Sequence, residues 1–150
     1  MRRVNGRQPK GHRPIPSPLR GLRVLVVEDE GLLGVLVEHF GKFGCEVAGV
    51  AGNAIDACQM IRTVAIDVAI VDFKLQDGMA YSLADALIAA GVPFVFATSI
   101  GNNEIDGRFS HVPVIKKPFD EGELRGALLE AISIQRGLWA AFVSRYSKTL

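Results

Sequence analysis

The chain has 150 residues, 49% of them apolar and 22% charged, enough for one domain with a core and too few for two ordinary ones. That composition excludes wholesale disorder, a collagen-like repeat and a disulfide scaffold. The net charge of +1 conceals an asymmetry: residues 1–20 carry six Lys/Arg and no acid, which leaves eleven bases against sixteen acids in residues 21–150.

The leader also holds Pro9, Pro14, Pro16 and Pro18 and shows no amphipathic period, so residues 1–20 are expected to form a disordered basic arm. Such an arm can touch nucleic acid or anionic lipid, but a solvated extension is the simpler reading. From Arg23 onward, short apolar runs alternate with helical periodicity, the pattern of βα units. Val24 to Val27 reads as a strand buried on both faces. Leu32, Leu33, Leu36, Val37 and Phe40 then recur at helical spacing, with Gly41 and Gly44 closing the helix. Cys45 to Val50 gives a second strand. Asn53 is a candidate cap for a helix whose Ile55, Cys58, Met60 and Ile61 fall mostly on one side. Val68 to Val71 forms a third strand running into Asp72. A helix from Ala80 to Ala90 follows, with Leu83, Leu87 and Ile88 inward. Pro93 to Ala97 makes strand four, ending in Thr98 and Ser99. Residues 100–111 show little helical period, and Val112 to Ile115 makes strand five. The last helix starts near Asp120, with Glu121 and Glu123 where acids suit the positive dipole end. It buries Leu124, Leu128, Leu129 and Ile132 and extends through Trp139, Phe142 and Tyr146. That last stripe is most simply packing for the extended helix, and its alternative is a dimer or partner surface.

Five strands alternating with helices predict an α/β fold with an open, doubly wound parallel sheet, whose ligands sit at the carboxyl ends of the strands. Those ends carry Glu28, Asp29 and Glu30, then Asp72, Thr98 and Lys117. Converging carboxylates repel one another unless a cation neutralises them, and oxygen ligands with room for water suit Mg²⁺. Aspartate is also a covalent phosphoryl acceptor. A lysine and a threonine across the pocket supply the charge and hydrogen bond that phosphoryl transfer needs. Taken singly, Asp72 reads as a cap or turn residue, Lys117 as a solvated base and Glu30 as a first-turn helix acid. Ser99 could stand in for Thr98. His12, His39 and His111 form no relay. The two cysteines, Cys45 and Cys58, have no second pair and no histidine at ligand spacing, which points to buried thiols in a reducing cytosol rather than a zinc site or a secreted framework.

Four segments in order, Val24 to Glu30, Val71 to Gly78, Phe96 to Thr98 and Lys116 to Phe119, resemble the receiver domain of bacterial two-component response regulators across about residues 22–135. The resemblance implies a flavodoxin-like five-stranded sheet of order 2-1-3-4-5. It implies Asp72 as the phosphoryl acceptor, with Thr98 and Lys117 binding the phosphoryl group. Mg²⁺ would be held by Glu28, Asp29, Asp72 and the Lys74 backbone carbonyl. Gly78 would end the turn after Asp72, and the Lys117–Pro118 bond would be cis. The implied partner is a sensor histidine kinase or a phosphotransfer protein, and the implied location is the cytoplasm. The protein would be a signalling switch that catalyses only its own phosphorylation and dephosphorylation, not a metabolic enzyme.

The pattern departs from the family in two places. Val114 stands where an aromatic usually reports phosphorylation, and the stretch from Thr98 to Lys117 is short and glycine-rich. The latter resembles an atypical subgroup, linked to kinases of the HWE type, whose fourth helix is short or disordered. Residues 100–110 are expected to order on phosphorylation or partner binding. The domain is expected over 21–135 and a C-terminal extension over 136–150, too short for a DNA-binding module. A stand-alone receiver, monomeric or weakly dimeric, is therefore expected. Ala86 to Asn103, the longest uncharged stretch, is broken by Gly91 and Pro93 and does not read as a membrane span. Other readings remain. A phosphorylation-independent pseudo-receiver keeps the fold alone. A Mg²⁺-dependent aspartyl phosphatase would want a second Asp where Lys74 stands. A nucleotide or flavin binder would want a glycine-rich phosphate loop after strand one, and none is present.

Overall fold

The structure, a computed structural model, describes residues 17–29, 31–75, 77–99 and 105–146, and of Phe142 and Tyr146 the backbone alone. Five parallel strands, β1 (Arg23–Val27), β2 (Glu46–Ala51), β3 (Val68–Asp72), β4 (Phe94–Thr98) and β5 (Val114–Lys116), form one sheet of order 2-1-3-4-5. Four helices cover it: α1 (Leu33–Phe43), α2 (Ala54–Thr63), α3 (Ala80–Ala90) and α4 (Glu121–Tyr146).

The continuous apolar runs are explained by the two faces. Side chains alternate along a strand, so a strand covered on both sides must be apolar at every position. Leu25, Val27, Ala69, Val71, Phe94 and Phe96 point into the core beneath α2 and α3. Val24, Val26, Val68, Ile70, Val95 and Ala97 point into the core beneath α1 and α4. Helix ends follow local chemistry. The Asn53 side chain accepts from the Asp56 N–H (2.8 Å) and caps α2 as expected. Gly44 ends α1 in the left-handed region at φ 78°, where a β-carbon would be strained. Gly41, expected to close α1 with Gly44, lies inside the helix.

Several expectations shift. Residues 1–16 of the expected arm lie outside the described residues, but 17–20 are part of the fold. The Ser17 Oγ accepts from the Leu19 N–H (3.2 Å), and Leu19 is fully buried with Phe40 and Phe43. Its carbonyl accepts from the Cys45 thiol (3.2 Å), a thiol whose pKa burial pushes up. Ile88, expected inward, is exposed, and so is Ile55, expected on one side with Cys58, Met60 and Ile61, because Ala54, Ala57, Leu83, Ala84 and Leu87 already fill the inner faces of their helices. Strand five begins two residues later than expected. Between β4 and β5, residues 100–104 lie outside the described residues, and the remainder contains only a 3-10 turn, Gly107–Phe109. No helix among the described residues is long and apolar enough to cross a membrane.

Candidate functional site

The polar residues collect where β1, β3, β4 and β5 end. Asp72 closes β3 and is 1% exposed. Glu28 follows β1, its N–H donating to the Ala51 carbonyl at the end of β2 (2.9 Å). The backbone thereby carries the two acids to one side of the sheet rim, and carboxylate oxygens of Glu28, Asp29 and Asp72 lie within 4.8 Å of one another. Glu28 also anchors the next helix, since its Oε2 accepts from the Leu32 N–H at the start of α1 (3.0 Å). A carboxylate there suits the positive end of that helix.

Across the rim, the Lys117 N–H donates to the Thr98 carbonyl (2.7 Å), which fixes the exit from β5 against the end of β4. The Lys117–Pro118 bond is cis. The Lys117 Nζ then lies 3.0 Å from Asp72 Oδ2 and 3.8 Å from Glu28 Oε1. Asp72 Oδ1 accepts from the Lys74 N–H (3.0 Å). Both Asp72 oxygens are thus oriented by donors before any ligand arrives. Thr98 is fully buried beside this group.

Among the described residues, three carboxylates converge within a few ångströms, and the Lys117 ammonium touches two of them. That donor set, hard oxygens of one sign, fits a hard divalent cation such as Mg²⁺. The turn that presents the site is also tied down. The Gly78 N–H donates to the Leu75 carbonyl (2.9 Å), with φ 67°. Asp77 Oδ2 accepts from the Ala54 N–H at the start of α2 (3.0 Å), and its Oδ1 from the Met79 N–H (3.2 Å). Asp77 was readable only as a turn residue, since its partner is 23 positions away.

Sequence reasoning also missed an aromatic cluster beside the site. Phe73, next to Asp72, meets Tyr81 and Phe96 edge-on, both with centroids 5.5 Å apart. Tyr81 stacks on Phe109 at 5.1 Å. The Tyr81 Oη accepts from the Asp106 N–H (2.6 Å), and Arg108 bridges to Asp85 on α3 at 2.8 and 3.3 Å. The Arg108 guanidinium holds the Asp85 carboxyl below its usual range. Part of the stretch expected to order only on phosphorylation or partner binding is thus already clasped to α3. Glu30, read as a helix acid, lies outside the described residues.

Neither a family model nor a curated protein matches the sequence. Solved structures do. The solution structure of SdrG from Sphingomonas melonis Fr1 is 31% identical, with a TM-score of 0.66 over 75% of this chain and 97% of that one. The BeF3-activated conformation of SdrG from Pseudomonas melonis Fr1 is 33% identical, with a TM-score of 0.65 over 75% of this chain and 98% of that one. The signal receiver domain of a modulated diguanylate cyclase from Desulfovibrio desulfuricans G20 is 25% identical, with a TM-score of 0.70 over 77% of this chain and 97% of that one. With this sheet order and more than 30% identity across nearly the whole of a solved receiver, the chain belongs to the receiver-domain family of response regulators.

Proposed function

We propose that this chain is a phosphoryl-accepting switch that receives its phosphoryl group on Asp72 from a histidine of a sensor kinase or phosphotransfer protein, and signals through protein contacts. The observation that carries the reading is Asp72 itself. It is a nearly inaccessible carboxylate that nevertheless opens onto the sheet rim, held between the Lys117 Nζ and the Lys74 N–H with two further acids beside it.

In the proposed reaction an Asp72 oxygen attacks phosphorus. The new P–O bond forms as the P–N bond to the donor imidazole breaks, and the imidazole nitrogen keeps the electron pair. Lys117 turns from Asp72 toward the incoming phosphoryl oxygens, and the Thr98 hydroxyl donates to another of them. Glu28, Asp29, Asp72 and the Lys74 backbone carbonyl would hold Mg²⁺, which when bound neutralises the acids and the phosphoryl charge. The free cysteines accord with a reducing compartment such as the bacterial cytoplasm. Lys74 in place of a second aspartate weighs against the phosphatase reading.

Backbone NMR during titration with Mg²⁺ and beryllofluoride, the phosphoryl mimic named for one SdrG structure, tests this reading. Saturable shifts at residues 28, 29, 72 to 74, 98 and 117 are expected when both components are present, and none from beryllofluoride in Asp72→Asn. An unchanged spectrum in the native chain, or the same response in the variant, would overturn the reading.

A further inference from the structure

The acids of the candidate site stand on two separate segments. Glu28 and Asp29 follow β1, while Asp72 ends β3 and Lys74 lies in the turn beyond it. The ladder that pairs these strands ends at Val27 and Val71, one residue short of both Glu28 and Asp72. Carboxylates within 4.8 Å of one another repel before any cation arrives, so the spacing a metal needs depends on bonds beyond the ladder.

The stretch from Ala51 to Ala54 supplies two such bonds. At one end the Ala51 carbonyl accepts from the Glu28 N–H (2.9 Å), and at the other the Ala54 N–H donates to Asp77 Oδ2 (3.0 Å). Gly52 and Asn53 alone lie between, and the Asn53 side chain is itself held by the Asp56 N–H (2.8 Å). Asp77 in turn sits where the Gly78 N–H closes on the Leu75 carbonyl (2.9 Å), and its Oδ1 accepts from the Met79 N–H (3.2 Å), just before α3. One carboxylate thus ties the turn after Asp72 to the starts of α2 and α3. The residue type fits the task. A carboxylate offers acceptors to both N–H groups, whereas an amide would turn its NH2 toward one of them, and a negative charge suits the positive ends of two helices.

We infer that Asp77 is a positioning residue for the metal site: through the Ala54 N–H it holds the turn carrying Asp72 and Lys74 in register with the end of β1 carrying Glu28 and Asp29. The inference rests on the reading of those four residues as the Mg²⁺ site. Asp77 is not among the converging acids. It acts by fixing where the Lys74 carbonyl and the Asp72 carboxylate stand, as residues behind metal ligands do. Without the tie the two segments are free to part, and affinity for the ion falls.

Calorimetric Mg²⁺ titration of the full chain tests this with variants on both sides of the bond. Ala54→Pro keeps every charge and removes the donor. Proline suits the first position of a helix, and Asn53 already has the extended backbone (φ −154°, ψ 169°) that a following proline requires. Asp77→Ala and Ala54→Pro are each expected to raise the Mg²⁺ Kd about tenfold, and the double variant no further than either alone. Asp77→Asn, which keeps one acceptor, is expected to fall between the native chain and Asp77→Ala. The deficit should persist in high salt, where a charge acting through space is screened. Without Mg²⁺, the Ala54 amide of Asp77→Ala should exchange its hydrogen about tenfold faster while the melting temperature stays within about 5 °C of native. Native affinity in Asp77→Ala or in Ala54→Pro overturns the inference. So does a deficit that adds in the double variant or disappears in high salt, since either marks the Asp77 charge as acting directly. A native chain that binds no Mg²⁺ overturns the reading of the site and this inference with it, so the native titration tells the two failures apart.

Discussion

Lys117→Met is expected to slow phosphoryl uptake from a small-molecule donor by about a hundredfold or more, while tightening divalent-ion binding by on the order of tenfold. The two effects have opposite signs because the proposed reaction gives Lys117 two competing roles. Its Nζ lies 3.0 Å from Asp72 and 3.8 Å from Glu28, where it opposes a metal ion for the same carboxylates. In the proposed transfer that charge is wanted on the phosphoryl oxygens instead. Methionine keeps the length of the side chain and removes its charge. An intact-mass time course reads the first effect and a calorimetric Mg²⁺ titration reads the second. A variant that loses both together would show that Lys117 supports the shape of the rim rather than the transfer.

Phe109→Ala is expected to cost about 3–5 kcal/mol of folding stability. The ring is 1% exposed, stacks on Tyr81 and meets Phe96 edge-on at 6.1 Å. Arg108 also lies over it, with Cζ 4.2 Å from the ring centroid. Truncation would leave a cavity under the only element described between β4 and β5 and loosen the clasp on α3. Tyr81→Phe, which keeps the ring and removes the acceptor for the Asp106 N–H, should cost about 1 kcal/mol. Urea unfolding of the two variants separates packing from hydrogen bonding. A loss below about 1 kcal/mol for Phe109→Ala would mean that the ring's burial is not maintained in solution.

How much of this was legible in the sequence depended on how local the cause was. Val24 to Val27 and Val68 to Val71 announced buried parallel strands because both faces of the sheet demand apolar side chains, and the acids after them marked the rim. Asn53 and Gly44 announced their caps because a cap is decided within a few residues. Leu19 did not, since a single leucine among prolines carries no period, and its burial depends on Phe40 and Phe43 far along the chain. Ile88 looked inward by type, and Ile55 looked to share a side with Cys58, Met60 and Ile61, but alanines and leucines on the same helices had already taken the inner faces. The clasp of Tyr81, Asp85, Arg108 and Phe109 joins residues more than twenty positions apart, beyond the reach of any periodic signal. Leu138 and Trp139 are exposed, against the packing expected for Trp139, because α4 runs on past the strands, and that comparison needs the strand ends to be known.

The measurement that bears most directly on the central claim is the intact mass of the native chain and of Asp72→Asn after incubation with acetyl phosphate, with and without Mg²⁺. A gain of about 80 Da, one phosphoryl group, is expected in the native chain with Mg²⁺ present and in none of the other conditions. Fragmentation should place it on Asp72. An unchanged native mass alongside measurable Mg²⁺ binding, or an equal gain in Asp72→Asn, would contradict the assignment of Asp72 as the phosphoryl acceptor.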